Sequence, residues 1–165
     1  MIVPVDLRCV TPTERMVGED EDETLELRQM LGRAESYLIA FHWCPPVTER
    51  YLGIGIGGII ALFLFRLARP INRTDDWLWV VEGDLPSAYL VVDEASEPAH
   101  ALIAYCTLME EWSNAVLQHL SLDGVFPVKA QATEQNATTL LRRIGFIREH
   151  VVHRCHRAGG GRCGT

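Results

Sequence analysis

Residues 51–65, YLGIGIGGIIALFLF, run for fifteen positions without a charged side chain. A stretch like this must leave water, either as a membrane-crossing helix or inside a sheet covered on both faces. A helix spanning the hydrocarbon takes roughly 20 apolar residues, and Arg66 and Arg69 end the run before that length. Four glycines in its first half weaken a helix further. The better reading is a hairpin, with residues 51–56 as one strand, Gly57-Gly58 as the turn and residues 59–67 as the other strand. The unbroken apolar character of the second strand predicts a central strand packed on both faces.

A second apolar block, residues 75–93 (DDWLWVVEGDLPSAYLVVD), joins two aromatic and β-branched runs through Gly83-Asp84-Leu85-Pro86. This reads as a strand (residues 77–81) added to the same sheet, a tight corner, and a second strand or short helix. Within the corner, Asp84 is expected to cap the amides of Ser87 and Ala88 with its carboxylate, or else to face a ligand. Trp77 and Trp79 share one strand face, as core residues or as an anchor for a partner.

Three helices are predicted around these strands. From Thr24 to about Trp43, residues Leu27, Leu31, Ala34, Leu38 and Phe41 recur at helical spacing, and Pro45-Pro46 ends the pattern. The next helix takes Ser96 as cap and Pro98 in its first turn. Its stripe is Leu102, Tyr105, Leu108, Met109, Trp112, Val116 and Leu120, with Gly124 as the stop. The third starts at a Thr133 cap and buries Ala137, Leu140, Leu141, Ile144, Ile147 and Val151. Residues 126–131 before it have the character of a short strand. The expected fold is therefore α+β: one domain, with an antiparallel sheet of three to four strands packed against about three helices. Residues 1–23 form an N-terminal segment with an acidic linker, 24–152 the domain, and 153–165 a flexible basic tail.

With 165 residues, 48% of them hydrophobic, the chain can bury a sizeable core. A formal net charge of -7 and a single lysine, Lys129, argue against a nucleic-acid surface. The five cysteines, Cys9, Cys44, Cys106, Cys155 and Cys163, have no CxxC spacing. Neither a disulfide framework nor a zinc ribbon is written in them, and reduced thiols in a cytoplasm are expected. No secretory signal is evident at the start of the chain. Acidic residues 19–23 (EDEDE) and the basic tail read as solvated segments, with pairing between them as the other reading. His150, His153, Cys155 and His156 offer metal donors without a rigid frame, so no metal site is expected. Asp75, Asp76, Glu82, Asp84, Asp93 and Glu94 could supply paired carboxylates for acid/base work, but, Asp84 apart, they read as solvated groups at strand ends.

Two resemblances add to this. Arg50-Tyr51-Leu52-Gly53-Ile54-Gly55 fits R-x-x-G-x-G, and residues 136–141 lead to Gly145-Phe146; together they resemble the signature regions of GNAT acyltransferases. That resemblance implies acetyl-CoA as cofactor, with Arg50, Gly53 and Gly55 contacting it and Asn136 near its pantetheine arm. The second resemblance spans residues 53–151. It comprises Arg69-Pro70, the WLWVVEGDLPSAYLVVD block, the helix carrying Ala101, Tyr105, Met109 and Trp112, then Val125-Phe126-Pro127-Val128 and residues 141–147 (LRRIGFI). This series is similar to a family of small bacterial proteins of unknown function, and implies no activity or site residue. The expectation is a soluble, non-enzymatic interaction or regulatory module in the cytoplasm. Its partner is a protein, a second copy of the chain included, and not nucleic acid or membrane. The alternative is an acetyl-CoA-dependent N-acyltransferase.

Overall fold

The computed structural model describes residues 5–73, 75–93 and 95–152. Among these, five strands and three α-helices form one α+β domain: β1 (Thr11–Pro12), α1 (Glu21–Ile39), β2 (Val47–Ile56), β3 (Ile60–Leu67), β4 (Trp77–Gly83), β5 (Ala88–Val91), α2 (Pro98–Leu117) and α3 (Glu134–Phe146). The strands follow sequence order across the sheet, and every neighbouring pair is antiparallel. The sheet has five strands, not three or four. The extra one is β1, two residues that are too short to show any period.

The continuous apolar strands are explained by layering. From β3, Ile60, Leu62 and Leu64 face a core built with α2 and α3, while Ala61, Phe63, Phe65 and Leu67 face a second core under α1. The same parity sends Trp77, Trp79 and Val81 of β4 to the first core and Leu78 and Val80 to the second. Residues 60–65 of β3 and 77–81 of β4 are buried whichever face they point to, which accounts for their lack of polar alternation. Among the described residues no helix is long and apolar enough to cross a membrane.

The hairpin is present. Residues 57–59 turn the chain, the Ile59 amide donates to the Ile56 carbonyl at 3.0 Å, and Gly58 takes φ of 75°. β2 starts four residues before the expected position and carries a bulge: Leu52 pairs with Phe63 and Ile54 with Leu62, leaving Gly53 as the extra residue. Consequently Tyr51 and Ile54 both pack toward the α2 side, although three positions apart.

The expected acidic linker belongs to α1. Asp20 caps the helix by accepting from the Glu23 amide at 2.8 Å, and Glu21, Asp22 and Glu23 occupy the first turn, where negative charge opposes the helix dipole. Ser96 is not the cap of α2; that position falls to Glu97, followed by Pro98 at the first helical residue. Gly124 is not its stop either. His119 takes φ of 55°, its amide donates to Val116, and the Leu120 amide reaches back to Ala115 at 2.9 Å, so α2 ends in a Schellman motif built on a histidine. Leu120, expected in the buried stripe, is therefore exposed. Thr133 caps α3 as expected.

Beyond α3 the helix continues as a π-helical turn, Ile147–Val151. Residues 126–131 form no strand; Phe126 and Val128 lie half-buried against the α2 and α3 core. Cys44 and Cys106 are free thiols, but Cys9 is disulfide-bonded, contrary to the expectation of uniformly reduced thiols. The tail from residue 153 lies outside the described residues.

Candidate functional site

The residues singled out by the acyltransferase resemblance are spread over both faces of the sheet. Arg50 lies in β2 and turns toward α1, where its Nε donates to Glu35 Oε2 at 2.8 Å and a second contact joins the two groups. This pairing holds the Arg50 guanidinium above its ordinary pKa. Gly53 and Gly55 are strand residues, not a loop opening a helix. A Cβ on Gly55 would come within 2.6 Å of Leu27, and one on Gly53 within 3.1 Å of Trp79, so these glycines let α1 and Trp79 approach the strand closely. Asn136 sits in the first turn of α3, in the layer across the sheet. Its amide donates to Thr133 Oγ1 and its Nδ2 donates to the Gln131 carbonyl. The four residues are not brought together.

Trp77 and Trp79 are core. Trp79 is fully buried with its Nε1 donating to the Ala95 carbonyl at 2.7 Å, and Trp77 packs on the Tyr51 ring with the Arg66 guanidinium 5.4 Å from its centroid. Asp84 does stand at the corner, but no amide of residues 85–88 donates to its carboxylate. That carboxylate pairs with Arg143 at 3.2 Å, and the Asp84 carbonyl accepts from the same guanidinium at 2.7 Å.

The acidic side chain that organises the corner is Glu82. It follows Leu78 and Val80 on the face toward α1, and only 10% of its side chain is exposed. One carboxylate oxygen accepts from Arg33 Nε at 3.1 Å, and the other accepts from the Ser87 hydroxyl at 2.7 Å. Burying a carboxylate is costly unless it is paired and hydrogen-bonded, and here one partner comes from α1 and one from the far side of the corner. The strand parity carries this signal: an acid two positions beyond Val80 must point inward.

These residues form the floor of an open groove of about 720 Å³ between α1 and the β4–β5 corner. Gln29, Gly32, Ser36 and Tyr37 of α1 complete its lining. At one end Tyr37 meets Phe41 edge-to-face at 5.3 Å; Phe41 stacks on Trp43 at 5.1 Å, and Tyr89 of β5 closes the cluster against both. Burial, together with the neighbouring Tyr89, pushes the Tyr37 hydroxyl up to about 12, which keeps it neutral. Val91 extends the same face beyond Tyr89 and is 41% exposed. Among the described residues no main-chain hydrogen bond is made to the outer edge of β5.

Among the described residues there is no group of three or more His, Cys, Asp or Glu side chains able to hold a metal ion. No protein-family model, curated protein or solved structure matches the chain.

Proposed function

We propose that the protein is a non-enzymatic interaction module that receives its partner along the groove between α1 and the β4–β5 corner. The observation that carries this reading is the groove's makeup: a nearly buried Glu82 with an open-faced Arg33 at the floor, continuing into four clustered rings and the exposed Val91. Arginine and aromatic side chains in partly desolvated settings supply most binding energy at protein interfaces. Beside them the outer edge of β5, which pairs with no strand among the described residues, suits an extended segment by strand addition. The partner is a protein, a second copy of the chain included, that offers one apolar side chain to the rings and polar groups to Arg33 and Glu82.

Groove variants test this, each first checked by thermal melt for a retained fold because Arg33 also pairs with Glu82. Val91→Lys places a charge on the strand edge, and Arg33→Glu reverses the exposed charge of the groove; Leu120→Ser changes exposed apolar surface in the other layer as a control. Immobilised protein is expected to retain a defined partner from extracts of its own cells, or sedimentation is expected to show a dimer. Either association should be lost in both groove variants and kept in the control. Equal association in all three contradicts the proposal.

A further inference from the structure

On the side of the corner away from the groove lies a second concavity, of about 210 Å³, sharing no residue with the first. Its walls are Ile59 from the hairpin tip, Leu85 from the corner, and Phe146 with Ile147 from the end of α3. Three features build it. The Asp84 amide donates to the Ile59 carbonyl at 3.0 Å, fastening the corner to the hairpin tip. Arg143 clamps the Asp84 carbonyl and carboxylate from α3. Ile147 begins the π-helical turn, an irregularity that recurs at functional sites in helices. Phe146, 44% exposed, and Ile59 are left lining an apolar space open to water.

The charge at the mouth is one-sided. Arg143 is already matched by Asp84, whereas Arg142, exposed on the same rim, forms no ion pair among the described residues. The protein as a whole carries a formal charge of -7, so this uncompensated guanidinium beside an apolar hollow is a local exception. A planar guanidinium matches a carboxylate with two parallel hydrogen bonds.

We infer that this cavity binds a small amphipathic monocarboxylate, with its apolar end between Ile59, Leu85, Phe146 and Ile147 and its carboxylate on Arg142. At roughly 30 Å³ for each water-sized group, the space holds about seven heavy atoms, the tail of octanoate. Both ends are needed: the apolar walls supply burial and Arg142 selects the charge.

Isothermal titration and amide chemical-shift mapping of the full chain, with octanoate, 1-octanol and octylamine as probes, test the assignment. Octanoate is expected to bind saturably and about tenfold or more tighter than 1-octanol, as one charge-assisted contact provides. Shifts should centre on Leu85 and Ile147, and octylamine should bind most weakly. Arg142→Gln should bring octanoate down to the level of 1-octanol, and Phe146→Ser should weaken both. Because both side chains are exposed, each variant is checked for an unchanged melting temperature. Octanoate binding no tighter than 1-octanol, insensitive to Arg142→Gln, mapped elsewhere, or absent at millimolar concentration overturns the proposal.

Discussion

Arg33 of α1 donates to Glu82 of β4 across a span of 49 residues, and the two differ sharply in exposure: 55% of the arginine side chain is open to solvent and 10% of the glutamate. The pair therefore ties helix to sheet while presenting its positive end outward. Arg33→Ala leaves a nearly buried carboxylate with Ser87 as its remaining partner. The expected loss is about 1 to 2 kcal/mol, near the lower range for hydrogen bonds to charged groups because the groove admits water. Denaturant titration reads it as a lower midpoint at unchanged slope. Ser87→Ala should cost less.

Gly83 is the residue of the corner that tolerates no replacement. It takes φ of 153°, and a Cβ there would lie 2.2 Å from the Ile59 carbonyl oxygen. Gly83→Ala should lose about 3 kcal/mol or more from backbone strain and the clash together. Gly32, on α1 with nothing within 4 Å of an added Cβ, gives the opposite sign: Gly32→Ala should gain about 0.5 to 1 kcal/mol. Thermal melts of the two variants check both.

Much of the architecture was legible because its signals are local. Gly57-Gly58 between apolar runs marks the hairpin, and Thr133 marks the start of α3. What was not legible depends on neighbours distant in sequence. Residues 126–131 have strand character but meet no strand to pair with. The acidic residues 20–23 read as a linker in isolation and become a cap and first turn once α1 packs on the sheet through Leu27 and Met30. His119 ends α2 where Gly124 has the better local chemistry. At the corner, the local turn chemistry of Gly83 and Pro86 points to Asp84. Glu82 is the buried carboxylate, and only strand parity separates them. The groove needs α1 beside β4, a contact between residues about fifty positions apart, and no motif records it.

Alkaline pH should destabilise the fold. Burial pushes the Cys106 thiol up to about 11 and the Tyr37 hydroxyl up to about 12, and it raises Tyr105, whose hydroxyl donates to the Pro86 carbonyl at 2.6 Å. Each group ionises at lower pH in the unfolded chain. Between the two values the folded state holds more protons, so stability falls as pH rises. The contribution is fully present below about pH 9, the ordinary value of the thiol, and is lost progressively toward pH 12. Melting temperatures measured across this window should decline, and Cys106→Ala should flatten the first part of the decline.

Arg50 separates structural from acyltransferase roles. Its bidentate pairing with Glu35 joins β2 to α1, so Arg50→Ala should lower the melting temperature with or without acetyl-CoA. Thermal-shift titration of the parent with acetyl-CoA should show no saturable rise. A saturable rise that disappears in Arg50→Ala would instead support the acyltransferase reading.

The groove reading is tested most directly by a photo-reactive residue at position 91, introduced as Val91→p-benzoylphenylalanine, with the same residue at Leu120 for comparison. Both positions are exposed, at 41% and 59%, but they lie in different layers of the fold. After irradiation in the cells that make the protein, position 91 should give a discrete adduct, to a second copy or to another protein, and Arg33→Glu should abolish it. Position 120 should give none. Adducts of equal yield from both positions, or an adduct at 91 that survives Arg33→Glu, would contradict a partner seated along α1 and β5.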